Sequence, residues 1–356
     1  MERSFGKAKR EVAATGRGRA SVGMLKMRDV ARAANVSVTT VSVALSGAPN
    51  SGISEVTRRR VKAVAKALGY VPDHTAQSLR TRRTNTLGII ADRVASTPFA
   101  GAVLSGAQEA AWKYGCLLLI IETDGRADVG ESAAQTLLSR RVDHIIVASD
   151  YHHAIEVPRA LRGRDPLLVN CFSKDGDYPS IVPDEVGGGY LATRRLLKRE
   201  RSPVGFINVS KEKPAATGRL AGYKRALKEA HVPFDRRLAV FGNDESAEEG
   251  YRLTQALLGI EPELHLLFVG TDRMAMGAYD ALRERSLKIP SDIGVLGFDN
   301  QEIIAAHLRP PLSTVGLPHY EMGVRAVNRL LEPQRNSEPT AGRELTPCVY
   351  VERESV

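Results

Sequence analysis

Arg28-Asp29-Val30-Ala31-Arg32-Ala33-Ala34-Asn35-Val36-Ser37-Val38-Thr39-Thr40-Val41-Ser42-Val43-Ala44-Leu45 reads as two short helices meeting across one tight turn. Val30, Ala31 and Ala34 line one face of the first, Val41, Ala44 and Leu45 line the second, and Val36 fills the corner between them. Asn35 sits where the turn calls for a positive φ, which Asn tolerates better than most residues. Ser37 follows as an N-cap, its hydroxyl available to an orphan amide of the second helix, and this leaves Val38, Thr39 and Thr40 at the end that would enter a DNA major groove. A helical hairpin in a bundle core could show the same two faces. For that hairpin the turn residue, the cap and both apolar faces would all have to coincide, which favours the helix-turn-helix.

Charge follows the same division. Through Asn85 the chain carries 17 Lys and Arg against 5 Asp and Glu, while the remainder carries 33 against 36, so the excess of +9 belongs to the first quarter. A basic module joined to a near-neutral body is the footprint of a phosphate-binding head. Residues 1–25, with Arg3, Lys7, Lys9, Arg10, Arg17 and Arg19 among Gly, Ala and Ser, show no apolar periodicity and are expected to form a disordered basic arm, neither signal peptide nor membrane helix. Three cysteines suggest no disulfide framework, and the protein is expected in the cytoplasm.

Beyond the loop of residues 46–52, Ser54 caps a third helix whose stripe is Val61, Val64, Ala65 and Leu68, ended by Gly69. Residues 26–72 thus make a three-helix helix-turn-helix headpiece, and residues 73–86 a hinge helix and linker, in which Asp73 to Arg80 is too short to be a stable helix alone. From Leu87 short apolar runs alternate with helical segments. Leu87–Ala91, Leu117–Ile121, His144–Ala148 and Leu167–Asn170 form one set of buried parallel strands; Val204–Asn208, Ala239–Gly242, Leu266–Gly270 and Gly294–Phe298 form another. Two successive doubly wound α/β units over residues 87–350 follow, the second beginning near residue 184 and the chain crossing back near 313. Ligands of such sheets sit beyond the carboxyl ends of the strands, which picks out Asp92, Asp124, Asp150, Asn170, Thr271, Asp272 and Asp299.

Signatures of catalysis are poor. Gly187-Gly188-Gly189 lacks the partners of a nucleotide loop and reads as close helix packing; His152, His153 and Cys171 read as surface residues, not a metal site; Asp175-Gly176-Asp177 reads as a turn; no G-x-S-x-G elbow occurs. No metal and no cofactor is expected. Binding without turnover has better candidates. Arg219, expected at the start of a helix, could bridge hydroxyls or a carboxylate, Asp299 after its strand could accept two sugar hydroxyls, and Phe99 could offer an apolar face. An Arg219–Asp299 ion pair joining the lobes and a Phe99 packed in the core are equally compatible with position alone.

These residues resemble the LacI/GalR family of bacterial transcriptional repressors over nearly everything after the arm. The similarity rests on Asp29-Val30-Ala31 through Thr40-Val41-Ser42, Leu68-Gly69-Tyr70 with Pro72, the hinge Ala76 to Leu79, Arg219 to Tyr223, Asp272 to Gly277, and Val295 to Asp299. The resemblance implies a two-lobed, periplasmic-binding-protein-like effector domain and a homodimer or tetramer on palindromic operator DNA. A small-molecule effector, a sugar first, is expected in the cleft. It further implies that Val38, Thr39, Thr40, Ser42, Ala76 and Leu79 face DNA, with Leu79 as a minor-groove wedge. Phe99, Asp150, Arg219, Thr271 and Asp299 are expected to face the effector, with Arg219 and Asp299 on opposite walls. Two departures stand out: Val43 replaces an Arg that reads guanine in many members, and the loop from Ala48 to Ile53 is longer than in the best-known ones. A nucleobase-type co-repressor, an α/β enzyme and a sugar-binding protein without DNA binding are the alternatives. The last would have no use for a helix-turn-helix.

Overall fold

The computed structural model describes residues 25–45, 52–71, 78, 83–97, 100–199, 203–332 and 342–356. The chain forms two compact units, Met1–Arg82 and Arg83–Val356.

In the first unit, α1 (Met27–Ala34), α2 (Val38–Leu45) and α3 (Glu55–Leu68) share one small core. The turn forms as its residues dictate: Asn35 takes φ 50° and ends α1, and the Val36 amide reaches back to the Ala31 carbonyl at 3.1 Å. The Ser37 hydroxyl accepts the Thr40 amide at 3.0 Å and the Ser54 hydroxyl the Thr57 amide at 3.2 Å, so both following helices begin on satisfied donors. Gly69, at φ 70°, closes α3. Val30, Ala31, Ala34, Val41, Ala44, Val61, Val64 and Ala65 make the core, with Val36 and Leu45 packed at its margin. Leu68, placed in the stripe by its spacing, is instead exposed on the last turn of α3.

The second unit contains two six-stranded sheets. Its elements run β1 (Thr86–Asp92), α4 (Gly101–Lys113), β2 (Leu117–Glu122), α5 (Ala127–Ser139), β3 (His144–Ile155), β4 (Leu167–Ser173), β5 (Ser180–Pro183), α6 (Glu185–Leu197), β6 (Val204–Asn208), α7 (Pro214–Glu229), β7 (Ala239–Phe241), α8 (Ala247–Ile260), β8 (Leu266–Val269), α9 (Asp272–Glu284), β9 (Gly294–Asp299), α10 (Glu302–Ala305), β10 (Ser313–Gly316), α11 (His319–Leu331), β11 (Arg343–Thr346) and β12 (Val349–Val351). Strand order is β11-β5-β4-β3-β1-β2 in one lobe and β12-β10-β9-β8-β6-β7 in the other, all pairs parallel except β10 with β12. Central strands such as β1 and β9 are buried on both faces, which is why they read as unbroken apolar runs.

The chain passes between lobes three times. It leaves the first sheet after Pro183 and returns after Gly316, because α11 packs on α4 and on β4 and β5. It leaves again between β11 and β12. The return thus falls after β10, which belongs to the second sheet. Helix pairs approach closely through glycines. A Cβ on Gly189 of α6 would overlap the Arg219 carbonyl, and one on Gly222 of α7 would overlap the Val186 carbonyl. Gly222→Ala should therefore destabilise the second unit by about 1–3 kcal/mol, measured by thermal unfolding; an unchanged Tm would show that the pair can separate at no cost.

Candidate functional site

Two surfaces answer to the expected functions. On the headpiece, Val38 is 47% exposed and Thr39 is exposed beside it at the start of α2. Thr40 is half-buried and its hydroxyl lies 2.8 Å from that of Ser37, so it belongs to the cap more than to an outer face. Ser42 is half-buried, as is Val43, whose carbonyl receives Arg58 at 3.5 Å. Arg28 and Arg32 on α1 and Arg60, Lys62 and Lys66 on α3 are exposed cations of the same unit. The hinge positions Ala76 and Leu79 lie outside the described residues.

Between the lobes lies a cavity of about 230 Å³. The first lobe contributes Arg93, Asp150, Tyr151, His152 and Asn170; the second contributes Glu185, Lys213, Arg219, Glu245, Thr271 and Asp299. Strand ends place most of them. Asn170, in the middle of β4, takes φ 57° and Asp299 ends β9 at φ 105°, while Asp150 lies where β3 passes the cleft. Thr271 caps α9, accepting the Met274 amide at 3.1 Å, and still turns toward the cavity. Asp272, completely buried, holds Thr314 at 2.6 Å and the Gln301 amide at 2.7 Å and is a strut behind the site. Asp92 and Asp124 are not among the lining residues, and Phe99 lies outside the described residues.

Arg219 and Asp299 are not on opposite walls. Both belong to the second lobe, 3.7 Å apart; a helix-start position for Arg219 and a strand-end position for Asp299 locate each residue in its element but not in its lobe. Nor does Arg219 begin its helix: Pro214 occupies the first turn, which places Arg219 on the second. Its guanidinium is almost fully engaged. Nε donates to Glu185 Oε2 at 2.8 Å, Nη2 reaches Glu185 Oε1 at 3.4 Å, Nη1 donates to the Gly270 carbonyl, and the plane lies 3.9 Å from the Phe298 ring centroid. Glu185, which sequence reasoning did not single out, is the principal partner, both side chains being 4% exposed. Its only signal in the sequence is a carboxylate directly after the N-cap Asp184, which accepts the Gly187 amide.

His152 also departs from expectation. Its side chain is 10% exposed and faces Glu185 across the cleft, Nδ1 at 3.8 Å from Oε1. The register of β3 against β4 shifts between Ala148 and His153, and this irregularity turns His152 inward. His153 stacks on Tyr151 with centroids 4.0 Å apart, and Cys171 is buried without exposure. Among the described residues no group of three metal-ligating side chains assembles.

The electrostatics follow from burial. Desolvation raises Asp299 well above the usual carboxylate range, the Arg219 charge opposing and Asp272 reinforcing the rise. Burial likewise pushes Asp272 up to about 7, against its hydrogen bonds from Thr314 and Gln301. Burial would also raise Glu185, but the Arg219 charge, with the Arg219 hydrogen bonds and the nearby His152 ring, outweighs it and holds the carboxyl low. A carboxyl raised in the folded state stabilises while protonated, and that contribution is lost as pH rises through the folded value. The second unit should therefore lose stability as pH rises from about 4 to about 7. Asp272→Asn should flatten that profile; a variant with the wild-type slope would assign it to other groups.

With the fold and cleft described, the family can be stated: the chain belongs to the LacI family of bacterial regulatory proteins, DNA-binding transcriptional regulators. Residues 26–73 match the model for bacterial regulatory proteins of the lacI family, and residues 193–356 that for a periplasmic binding protein-like domain. The chain is 32% identical over 337 residues to the ribose operon repressor of Haemophilus influenzae, spanning 94% of this chain and 99% of that one. It is 32% identical over 328 residues to the sucrose operon repressor of Shigella flexneri, with coverages of 89% and 96%. A solved complex of the transcriptional regulator CelR with cellobiose shares 25% identity and superposes with a TM-score of 0.64, over 93% of this chain and 100% of that one.

Proposed function

We propose that this protein is a repressor that binds a palindromic operator as a homodimer and is controlled by a sugar in the interlobe cleft, without catalysing a reaction and without a cofactor. The observation that carries the reading is a polar cleft with four carboxylates and three cations, in one chain with a capped, exposed helix-turn-helix. Val38 and Thr39 face base edges, Val38 against a thymine methyl and Thr39 through one hydrogen bond. Asp150 and Asp299 accept ligand hydroxyls from opposite lobes, Thr271 adds a donor, and Phe99 an apolar face. Related repressors named for ribose and sucrose operons, and a regulator solved with cellobiose, support a sugar over a nucleobase.

The dimer is supported by exposed apolar side chains of the first lobe: Trp112 at the end of α4 is 73% exposed, and Leu117 and Ile120 stand exposed on the edge strand β2. Leu79, outside the described residues, is proposed to wedge into the minor groove, so that the lobes transmit effector binding to the DNA through the hinge. A DNA-binding repressor of this kind acts in the cytoplasm, and no described helix is long and apolar enough to cross a membrane. Titration calorimetry with neutral mono- and disaccharides tests the reading. Asp299→Asn should weaken the sugar that binds by about tenfold, since the amide offers one acceptor oxygen in place of two and a buried polar group left unmatched costs about 1–3 kcal/mol. An undiminished affinity would remove Asp299 from the site, and nucleobases binding in place of sugars would overturn the effector class.

A further inference from the structure

We propose that Glu185 sets the charge selectivity of this cleft: by occupying Arg219 it makes the site one for uncharged, hydroxyl-bearing ligands and closes it to sugar phosphates and sugar acids. The inference rests on the sugar reading above and narrows it. A guanidinium aimed into a cleft would ordinarily grip an anion through its two-pronged face. Here that face is taken. The Nε side and one Nη2 contact go to the Glu185 carboxylate, Nη1 goes to the Gly270 carbonyl, and what remains of Nη2 looks toward Asp299 at 3.7 Å.

The other two cations lack the buried, two-pronged face that Arg219 would offer. Arg93 stands at the rim, 45% exposed, within 3.7 Å of Asp150 and 3.8 Å of Asp92. The Lys213 ammonium lies 5.0 Å from the Tyr151 ring centroid, with Asp244 in its field. A bound phosphate would thus meet a guanidinium whose charge Glu185 already matches, in a place where burial weakens screening. A neutral ring meets the reverse. The carboxylates accept its hydroxyls, and His152, whose ring nitrogens make no hydrogen bond among the described residues, stands across from Glu185 to add another polar contact. Glu185 is therefore held in place from both sides. Gly218 of α7 lies so close that a Cβ there would come 2.6 Å from that of Glu185, and packing through Gly189 and Gly222 keeps α6 against α7.

The experiment uses the full chain, wild type and Glu185→Gln, with three probes: inorganic phosphate, and the pairs D-ribose with D-ribose 5-phosphate and D-glucose with D-glucose 6-phosphate. Phosphate will also meet the basic headpiece, but that contribution is common to both proteins and cancels in their difference. Inorganic phosphate is expected to raise the Tm of the Glu185→Gln protein beyond any rise in wild type, since Arg219 then keeps an unmatched charge. For a sugar that binds wild type, its phosphate should bind at least tenfold more weakly, and the substitution should narrow that ratio at least tenfold. Equal phosphate responses in the two proteins, or a wild type that prefers a sugar phosphate to its neutral parent, would overturn the proposal. Failure of every neutral sugar to bind would count against the sugar reading alone, because the phosphate comparison still decides what Glu185 does. If the Glu185→Gln protein does not fold, the wild-type preference between neutral and phosphorylated sugars decides it.

Discussion

Removal of residues 1–82 should lower DNA affinity by at least about a thousandfold, to a level indistinguishable from unrelated acidic proteins. Specific complexes of this class exceed non-specific ones by roughly 10³–10⁷. Here even the non-specific part is lost, because the chain beyond Asn85 carries 36 acidic against 33 basic residues and repels the phosphate backbone. For the intact protein, affinity should fall steeply with salt, with a slope near −0.9 per phosphate contacted. A point substitution gives the same test without truncation. Val41 is fully buried in the eight-residue core of the headpiece. Val41→Asp would place a carboxylate there without a partner, at a cost of several kcal/mol, more than so small a core can absorb. Operator binding should vanish while sugar binding in the second unit persists. A Val41→Asp protein that still binds operator would remove the headpiece from the account.

Arg219→Leu should lower the Tm of the second unit by on the order of 10 °C. Removing one member of a buried ion pair costs about 3–5 kcal/mol because the partner's charge is left uncompensated, and a unit of this size shifts by roughly 2–4 °C per kcal/mol. Glu185 and Asp299 would both be stranded, each buried and within 4 Å of the missing guanidinium. Glu185→Leu with Arg219→Leu should recover part of the loss, since replacing a buried pair with apolar groups is far milder than breaking it. Differential scanning calorimetry separates these cases. An Arg219→Leu protein as stable as wild type but unable to bind sugar would make Arg219 a ligand contact only, contrary to its saturated geometry.

The headpiece was legible almost throughout because its signals are local: a turn Asn at φ 50°, two serine caps and a glycine stop lie within a few residues of what they control. The eight strands β1 to β4 and β6 to β9 were equally legible as apolar runs. What escaped was short or distant. Ser313–Gly316 and Arg343–Thr346 are four-residue strands with polar side chains, and they register as strands only because neighbours already in place pair with them. In the site, strand ends announced Asp150, Thr271 and Asp299. Glu185 and His152 did not show, since one depends on the contact of α6 with α7 and the other on a register shift inside β3. Pro214 was the available sign that Arg219 lies within its helix and not at its start.

The central claim is that the headpiece and the cleft are energetically linked. Its most direct test is fluorescence anisotropy of a labelled operator, selected from random DNA by the full-length protein, titrated with and without a sugar shown by calorimetry to bind the cleft. The account predicts that saturating sugar changes operator affinity by about 5–150-fold, the range of an allosteric coupling of 1–3 kcal/mol, and that Asp299→Asn moves the response to higher sugar concentration. A sugar that saturates the cleft and leaves operator affinity unchanged would contradict it.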